Sequence, residues 1–446
     1  MKTMIANASP TKELFMEMFI RDLSLEDSIL DLVDNSIDSL IKNKNIDVTD
    51  ALLPGGNDGT SKAIHPLAVI EINYEPGRFR IRDSCGGISV EDAVNEVFRF
   101  GHSDDVVRGQ LGVYGIGLKR AIFKIGNEIM IQSRTINDGF NMRIFVPEWA
   151  KNPNWTFPLE VTEKAENYET AGTVITIKSF RPEVAARMRV VTFESHLIEM
   201  IARTYGLFLN KYVAVAVNGH KVEPKVIRFG CSDLVNVAKE EITEGNVKAT
   251  IYAGLAARDE DGAWQAAEAG WYVACNGRLV VVADKAQLTG WGTGATPQFV
   301  GKYRGFIGIV FFHSRDPLEL PWTTTKRGLN QESLIFQRVR TRMAVVGRPV
   351  ITFLNNMYSS EETERAPQRE VAETIKPLDV RTMTGHLPTA FMTKVKPIID
   401  EYVRVQYNAK RVDIERVRKS LHKSDLAASK VGKYTFDYYL KKECPQ

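Results

Sequence analysis

The chain has 446 residues, 44% of them hydrophobic and 25% charged, an ordinary composition for a folded chain of two or three domains. No apolar stretch approaches the roughly 18 residues of a membrane helix, since the cleanest run, residues 306–312, has only the length of a strand. Lys and Arg exceed Asp and Glu by 3, too little to announce a nucleic-acid or membrane partner, and four scattered cysteines without a Cys-x-x-Cys pair argue against a zinc knuckle or a disulfide scaffold.

Residues 1–10 lack the basic-then-apolar order of a signal peptide, which makes the cytoplasm the expected location. A helical pattern follows: Leu14, Phe15, Met18 and Phe19 share one face, and Leu25, Ile29, Leu32, Val33 and Ile37 continue the spacing after Ser24, a candidate N-cap. Residues 42–65, with Pro54, Gly55, Gly56 and Gly59, read as a loop. Residues 68–74 and 79–83 alternate like paired strands around Glu75-Pro76-Gly77. A helix near 90–98, a Gly-rich stretch and strands at 128–134, 140–145 and 173–179 complete a first α+β domain, residues 1–181. A second block, 182–357, has a helix at 193–209, strands at 212–217, 248–253, 271–275, 279–282 and 305–312, and a helix with Leu334, Val339, Met343 and Val346 as core positions. Polar residues 359–373 read as a linker, and the remainder is mainly helical. Residues 401–446 carry eleven Lys or Arg against six Asp or Glu, a local +5 that suits either a solvated helical face or a contact surface.

Four separated segments carry the chemistry. On the first long helix Asp31, Asn35 and Asp38 fall at i, i+4 and i+7 and share one face. An acid and an amide one turn apart can hold an attacking water and a hard cation on the same side, although capping or an exposed polar face would use the same residue types. Arg82-Asp83-Ser84-Cys85-Gly86-Gly87-Ile88 ends a strand in an acid and tight glycines: the carboxylate can accept from an exocyclic amine, and glycines let the backbone approach a flat ring. Phe100-Gly101-His102-Ser103, then Leu111-Gly112-Val113-Tyr114-Gly115-Ile116-Gly117-Leu118-Lys119, lead into a helix at 118–125; the glycines expose N–H groups that favour phosphate and Lys119 adds a charge. The spacing is not that of a P-loop, nor does the stretch follow a strand as a dinucleotide fingerprint does. Gly172-Thr173 opens a strand whose hydroxyl could share a water with Asp83.

The order and spacing of these segments, over residues 25–180, resemble the GHKL ATPases, the superfamily of gyrase, a heat-shock chaperone, histidine kinases and the mismatch-repair protein MutL. Within it the chain looks most like the MORC group and its prokaryotic relatives, on Phe100-Gly101-His102-Ser103, Tyr114-Gly115-Ile116-Gly117-Leu118-Lys119, Gly270-Trp271-Tyr272-Val273 and Asn276-Gly277-Arg278-Leu279. The resemblance implies a Bergerat α/β sandwich with a mixed sheet over 1–181, a ribosomal-protein-like α/β transducer over 182–357, and a linker with a basic helical region over 358–446. It implies ATP and Mg2+ as ligands. Asn35 would bind the metal, Asp83 the adenine amine with Thr173 beside it, and Asp38, Gly87, Ser103, Gly112, Tyr114, Gly115, Ile116, Gly117, Leu118 and Lys119 would surround the nucleotide. Asp31 stands where the family has a Glu as general base, one methylene shorter, and Cys85 replaces the first glycine of the Asp-x-Gly-x-Gly motif. Lys326, at the end of Leu320-Pro321-Trp322-Thr323-Thr324-Thr325-Lys326, matches the transducer lysine that reaches the terminal phosphate in hydrolysing branches; a solvated loop lysine is the alternative.

What the resemblance implies is ATP hydrolysis with ATP-dependent homodimerisation, in a clamp or switch acting on DNA, in prokaryotic genome or anti-phage defence. A chaperone-like ATPase acting on a protein partner and a nucleotide sensor with little hydrolysis are competing readings. No dimerisation helix with a phospho-acceptor His precedes the ATPase block, which argues against a protein kinase, and no separate cleavage domain points to a topoisomerase.

Overall fold

The computed structural model describes residues 11–46, 66–100, 111, 115–360, 362–383, 387–394, 405 and 407–444. Two units divide the chain, residues 1–396 and 397–446. In the first, α1 (Lys12–Ile20) leads to the long α2 (Leu25–Lys44), which starts where the Ser24 side chain accepts from the Asp27 N–H and stops at Asn45, in the left-handed region at φ 50°. The helix therefore continues through Lys42–Lys44, which the sequence reading gave to the loop; the rest of that loop, 47–65, lies outside the described residues.

The first sheet builds on α2. A hairpin of β1 (Ala68–Glu75) and β2 (Arg78–Asp83) turns at Pro76-Gly77, with Gly77 at φ 86°. A short helix, α3 (Val90–Asp92), widens into a single loose turn over Ala93–Val97. Then come α4 (Gly117–Ile125), β3 (Gly126–Arg134), β4 (Gly139–Phe145), α5 (Val146–Lys151), β5 (Leu159–Thr162), β6 (Gly172–Phe180), α6 (Pro182–Met188), α7 (Phe193–Thr204), β7 (Val213–Val217) and β8 (His220–Lys221). The strand order is β5-β4-β3-β6-β2-β1-β7-β8, antiparallel except for the parallel β1–β7 pair, so the sheet is mixed and runs past residue 181. α2 packs against α4 and buries 14 of its 20 residues, among them the polar Asp31, Asp34, Ser36 and Asp38 as well as its apolar face.

A second sheet contains β9 (Arg228–Cys231), β10 (Ala238–Glu244), β11 (Val247–Ala256), β12 (Gly270–Cys275), β13 (Arg278–Asp284) and β14 (Phe306–His313), with α8 (Leu334–Met357) against β10, β11 and β14. Its order is β13-β12-β14-β11-β9-β15, with β10 also on β11; the last strand, β15 (Lys376–Asp379), follows α9 (Glu362–Glu373). Two expectations are corrected here. The polar stretch expected as a linker is α9, which packs against α8 and buries Val371 and Ala372, and β15 extends the second sheet beyond residue 357. Leu334, expected in the core, opens α8 at 74% exposure, while Val339, Met343 and Val346 are buried as expected.

α1 also turns a different face inward. Of the four expected inward, Leu14 and Met18 are exposed while Phe15 and Phe19 are half-buried against Phe100, and Lys12, Met16 and Ile20 are buried beside them. The cause is Lys12, whose ammonium lies 3.9 Å from the Trp149 ring centroid and donates to the carbonyls of Trp149 (2.9 Å) and Asn154 (2.6 Å). Apolar periodicity does not register a lysine that anchors a helix. Cys85 and Cys275 are buried free thiols, and none of the four cysteines is in a disulfide.

In the second unit α10 (Arg411–Ser420) packs against α11 (Ala428–Glu443), and Arg418 Nε donates to the Leu426 carbonyl at 2.8 Å. Val431 is buried, whereas Tyr434, Phe436, Tyr438 and Tyr439 of α11 are exposed. Among the described residues no helix is long and apolar enough to cross a membrane.

Candidate functional site

One face of α2, the end of β2, the start of α4 and the start of β6 enclose a cavity of about 480 Å3, within the range of small-molecule and cofactor sites. Its lining includes Asp31, Asn35, Asp38, Asp83, Gly87, Gly115, Ile116, Gly117, Leu118, Lys119 and Thr173, together with Lys326 from the segment after the second sheet's β14. Ser103, Gly112 and Tyr114 lie outside the described residues.

At one end of the cavity Asp83 is held by three donors. Its Oδ1 accepts from the backbone N–H of Cys85 (2.9 Å) and of Thr173 (3.3 Å), and its Oδ2 from Ser36 Oγ (2.9 Å). Burial raises its proton affinity, and those hydrogen bonds oppose the rise without cancelling it. The Thr173 hydroxyl meets Ser133 Oγ at 2.9 Å, so within the protein it is the Thr173 backbone that engages Asp83 directly. Two glycines make the closeness possible. A Cβ on Gly172 would sit 1.9 Å from the Asp83 carbonyl oxygen, and one on Gly87, at φ 77°, would sit 2.3 Å from the Arg134 carbonyl oxygen. Ser39 Oγ ties the Cys85 and Gly87 carbonyls to α2 at 3.2 Å each, which keeps the loop flat against the cavity even with Cys85 in place of a glycine.

Charge is concentrated at the other end. Asp31 is 3% exposed and pairs with Arg120 of α4, Nη2 to Oδ2 at 2.7 Å. Gly117 stands beside Asp31, with space for ordinary contact only. The Asn35 side-chain nitrogen donates to the Asp31 carbonyl (2.7 Å), leaving its Oδ1 as the atom that can serve a hard cation. Asp38 Oδ1 accepts from the Leu111 N–H at 2.5 Å and so ties the residue that opens the stretch 111–119 to α2. Lys119 is 1% exposed; its ammonium donates to the Val97 carbonyl (2.7 Å), and burial pulls its pKa down to about 7.

Lys326 reaches the cavity from a tight turn. Its N–H donates to the Thr323 carbonyl (2.8 Å), and its backbone takes φ 56°, an uncommon conformation for a residue with a side chain. Its ammonium pairs with Asp34 Oδ2 at 2.6 Å. Asp34, 1% exposed, also accepts at Oδ1 from Tyr205 (2.6 Å) and from Arg278 Nε (3.0 Å), while Arg278 Nη1 donates to the Lys326 carbonyl (2.8 Å). Burial alone would raise the Asp34 pKa, but the charges of Arg278 and Lys326 outweigh it and hold the carboxyl below its ordinary value. Burial and the adjacent Asp34 charge push the Tyr205 phenol well up, so it stays protonated and donating.

The sequence reading left Asp34, Tyr205, Arg278, Arg120 and Ser36 without a role. Asp34 lies inside the segment singled out on α2, but its partners are 171, 244 and 292 residues away, beyond any local pattern. Arg278 had a signal, since it sits in one of the stretches that carried the resemblance.

Residues 23–171 match the family model of the Histidine kinase-, DNA gyrase B-, and HSP90-like ATPases. The match supports a GHKL-type ATPase domain over those residues, and the mixed α/β architecture agrees with it. The second sheet lies outside the matched residues. No curated protein matches the chain.

Proposed function

We propose that the protein is a Mg2+-dependent ATPase of the MORC-like kind, in which ATP joins two copies into a clamp or switch on DNA and hydrolysis releases them, in prokaryotic genome or anti-phage defence. The observation that carries the ATPase reading is the convergence on one cavity of the described candidates from α2, β2, α4, β6 and the Lys326 turn. In this reading Asp83, held by Ser36 and the Cys85 and Thr173 amides, accepts from the adenine amine. Gly115, Gly117 and Lys119 face the phosphates at the start of α4, where backbone N–H groups are unspent. Asn35 Oδ1 would be the protein oxygen that holds Mg2+, a hard cation suited to an amide oxygen. When bound, it would neutralise charge on the phosphates. Asp31 orients the attacking water, and Lys326 balances charge that grows on the terminal phosphate.

The Asp31–Arg120 ion pair also favours a second reading, a nucleotide sensor with little turnover, because Oδ2 of Asp31 is already engaged by a guanidinium and only the other oxygen is left to orient a water. Phosphate release by wild type, Asp31→Asn and Lys326→Ala separates the two. The ATPase reading expects both variants to fall by about a hundredfold, the scale of a positioned base or charge-stabilising group. Equal background rates in all three would leave the sensor.

A further inference from the structure

Asp34 does not line the cavity, yet it holds Lys326, a lining side chain that enters from the segment after the second sheet's β14. Its surroundings are unusual in their charge count. One buried carboxylate faces two buried cations, Arg278 and Lys326, and a phenol, so a buried positive charge is left over. A buried ion that loses its only partner is strongly penalised, but Asp34 can lose Lys326 and remain neutralised by Arg278 and bonded to Tyr205. Lys326 is thus the transferable partner. Its backbone need not move, since Arg278 Nη1 fixes the Lys326 carbonyl at 2.8 Å while the side chain lies between Asp34 and the cavity.

We propose that Asp34 is a positioning residue that parks Lys326 while no terminal phosphate is present, so that ATP must take the ammonium from Asp34 whereas ADP need not. The proposal rests on the ATP-site reading above. It gives the site a built-in comparison between the two nucleotides. Capture of Lys326 would leave Arg278, on β13, as the sole charged partner of Asp34, so occupancy of the terminal-phosphate position is felt directly by the second sheet.

The test is the ratio of affinities for a non-hydrolysable ATP analogue and for ADP, measured by calorimetry on the full chain. Asp34→Asn keeps shape but removes the charge that holds Lys326, so the analogue-to-ADP preference should rise about tenfold, the lower range for one close buried charge pair. Should Asp34→Asn fail to fold, Tyr205→Phe carries the test. It deletes one of the donors to Asp34, the carboxylate then holds Lys326 more firmly, and the preference should fall below that of wild type. A ratio that stays at the wild-type value, or affinities that weaken together for both nucleotides, overturns the parking role and leaves Asp34 structural. Wild type that is folded but binds neither nucleotide overturns the ATP-site reading itself, a result distinct from nucleotide binding with an unmoved ratio.

Discussion

Lys119 shows how one side chain can link proton and phosphate. Burial lowers its pKa from 10.5 to about 7, so between those values the folded chain holds it neutral while the unfolded chain still binds the proton. The unfolded state then carries more protons, and stability rises with pH across that window; below about pH 7 both states are charged and the burial cost is fully present. Phosphate acts in the opposite sense. An anion beside the amine favours the ammonium, so nucleotide affinity should fall as pH rises above about 7, and binding at about pH 8 should take up a proton. Titrations in buffers of different ionisation enthalpy would read that proton directly. Lys119→Met should abolish the buffer dependence, and a dependence that survives the substitution assigns the proton to another group. The residue types at this site were legible in the sequence because each sits in a local pattern: a helical face for Asp31, Asn35 and Asp38, glycines before a helix for Gly115 and Gly117. Gly172 and Gly87 were legible for a reason the structure now supplies, since a Cβ at either would strike backbone.

Elements were read from the same local signals, and they were missed where the deciding partner was remote. The hairpin of β12 and β13 turns on Asn276 and Gly277, at φ 45° and 81°, the pairing that matches strand twist in a two-residue turn. Asn276 is further clamped to Ser314, donating to its carbonyl (3.0 Å) and accepting from its N–H (3.1 Å). The turn delivers Arg278 to Asp34 on α2, and that meeting of two sheets' elements is invisible to periodicity. So too was the buried face of α1, set by the Lys12 ammonium on Trp149, and α9, whose polar sequence is ordered by packing on α8. The Arg278 junction should be energetically prominent. Arg278→Ala leaves Asp34 with Lys326 and Tyr205, so its cost should fall near the low end for a broken buried pair, about 3 kcal/mol. Urea unfolding of Arg278→Ala, Asp34→Asn and the double variant should show a coupling of at least about 1 kcal/mol, because the two residues share a network. Additive losses would mean that the two side chains stabilise the fold independently and that the junction is not a coupling point.

At the scale of the whole molecule the near-neutral total conceals a difference between the units. The second unit carries the local excess of Lys and Arg in residues 401–446, and on α11 Tyr434, Phe436, Tyr438 and Tyr439 stand exposed among them. Lys423 and Lys442 lie over two of these rings, 5.3 Å from each centroid, so the cations and aromatics form one mixed surface rather than separate patches. A surface of that kind on a DNA clamp would bind mainly through phosphates, and each phosphate neutralised makes affinity fall with salt at a slope of about −0.9 on logarithmic axes. A chaperone-like machine acting on protein would bind through apolar area and lose little. The clamp also requires two copies closed by nucleotide, which ties both expectations to one experiment. Gel filtration with a non-hydrolysable ATP analogue should show the chain moving from monomer to dimer size, and duplex DNA added to that species should bind with a slope of several units across a salt series. Reversing the charge of Lys430, Lys433 and Lys441 together should flatten that slope by about 3 if all three contact phosphate, while leaving the nucleotide-driven shift in size intact. A dimer that forms but holds DNA with no salt dependence would redirect the proposal to a protein partner, and a chain whose size ignores nucleotide would remove the clamp altogether.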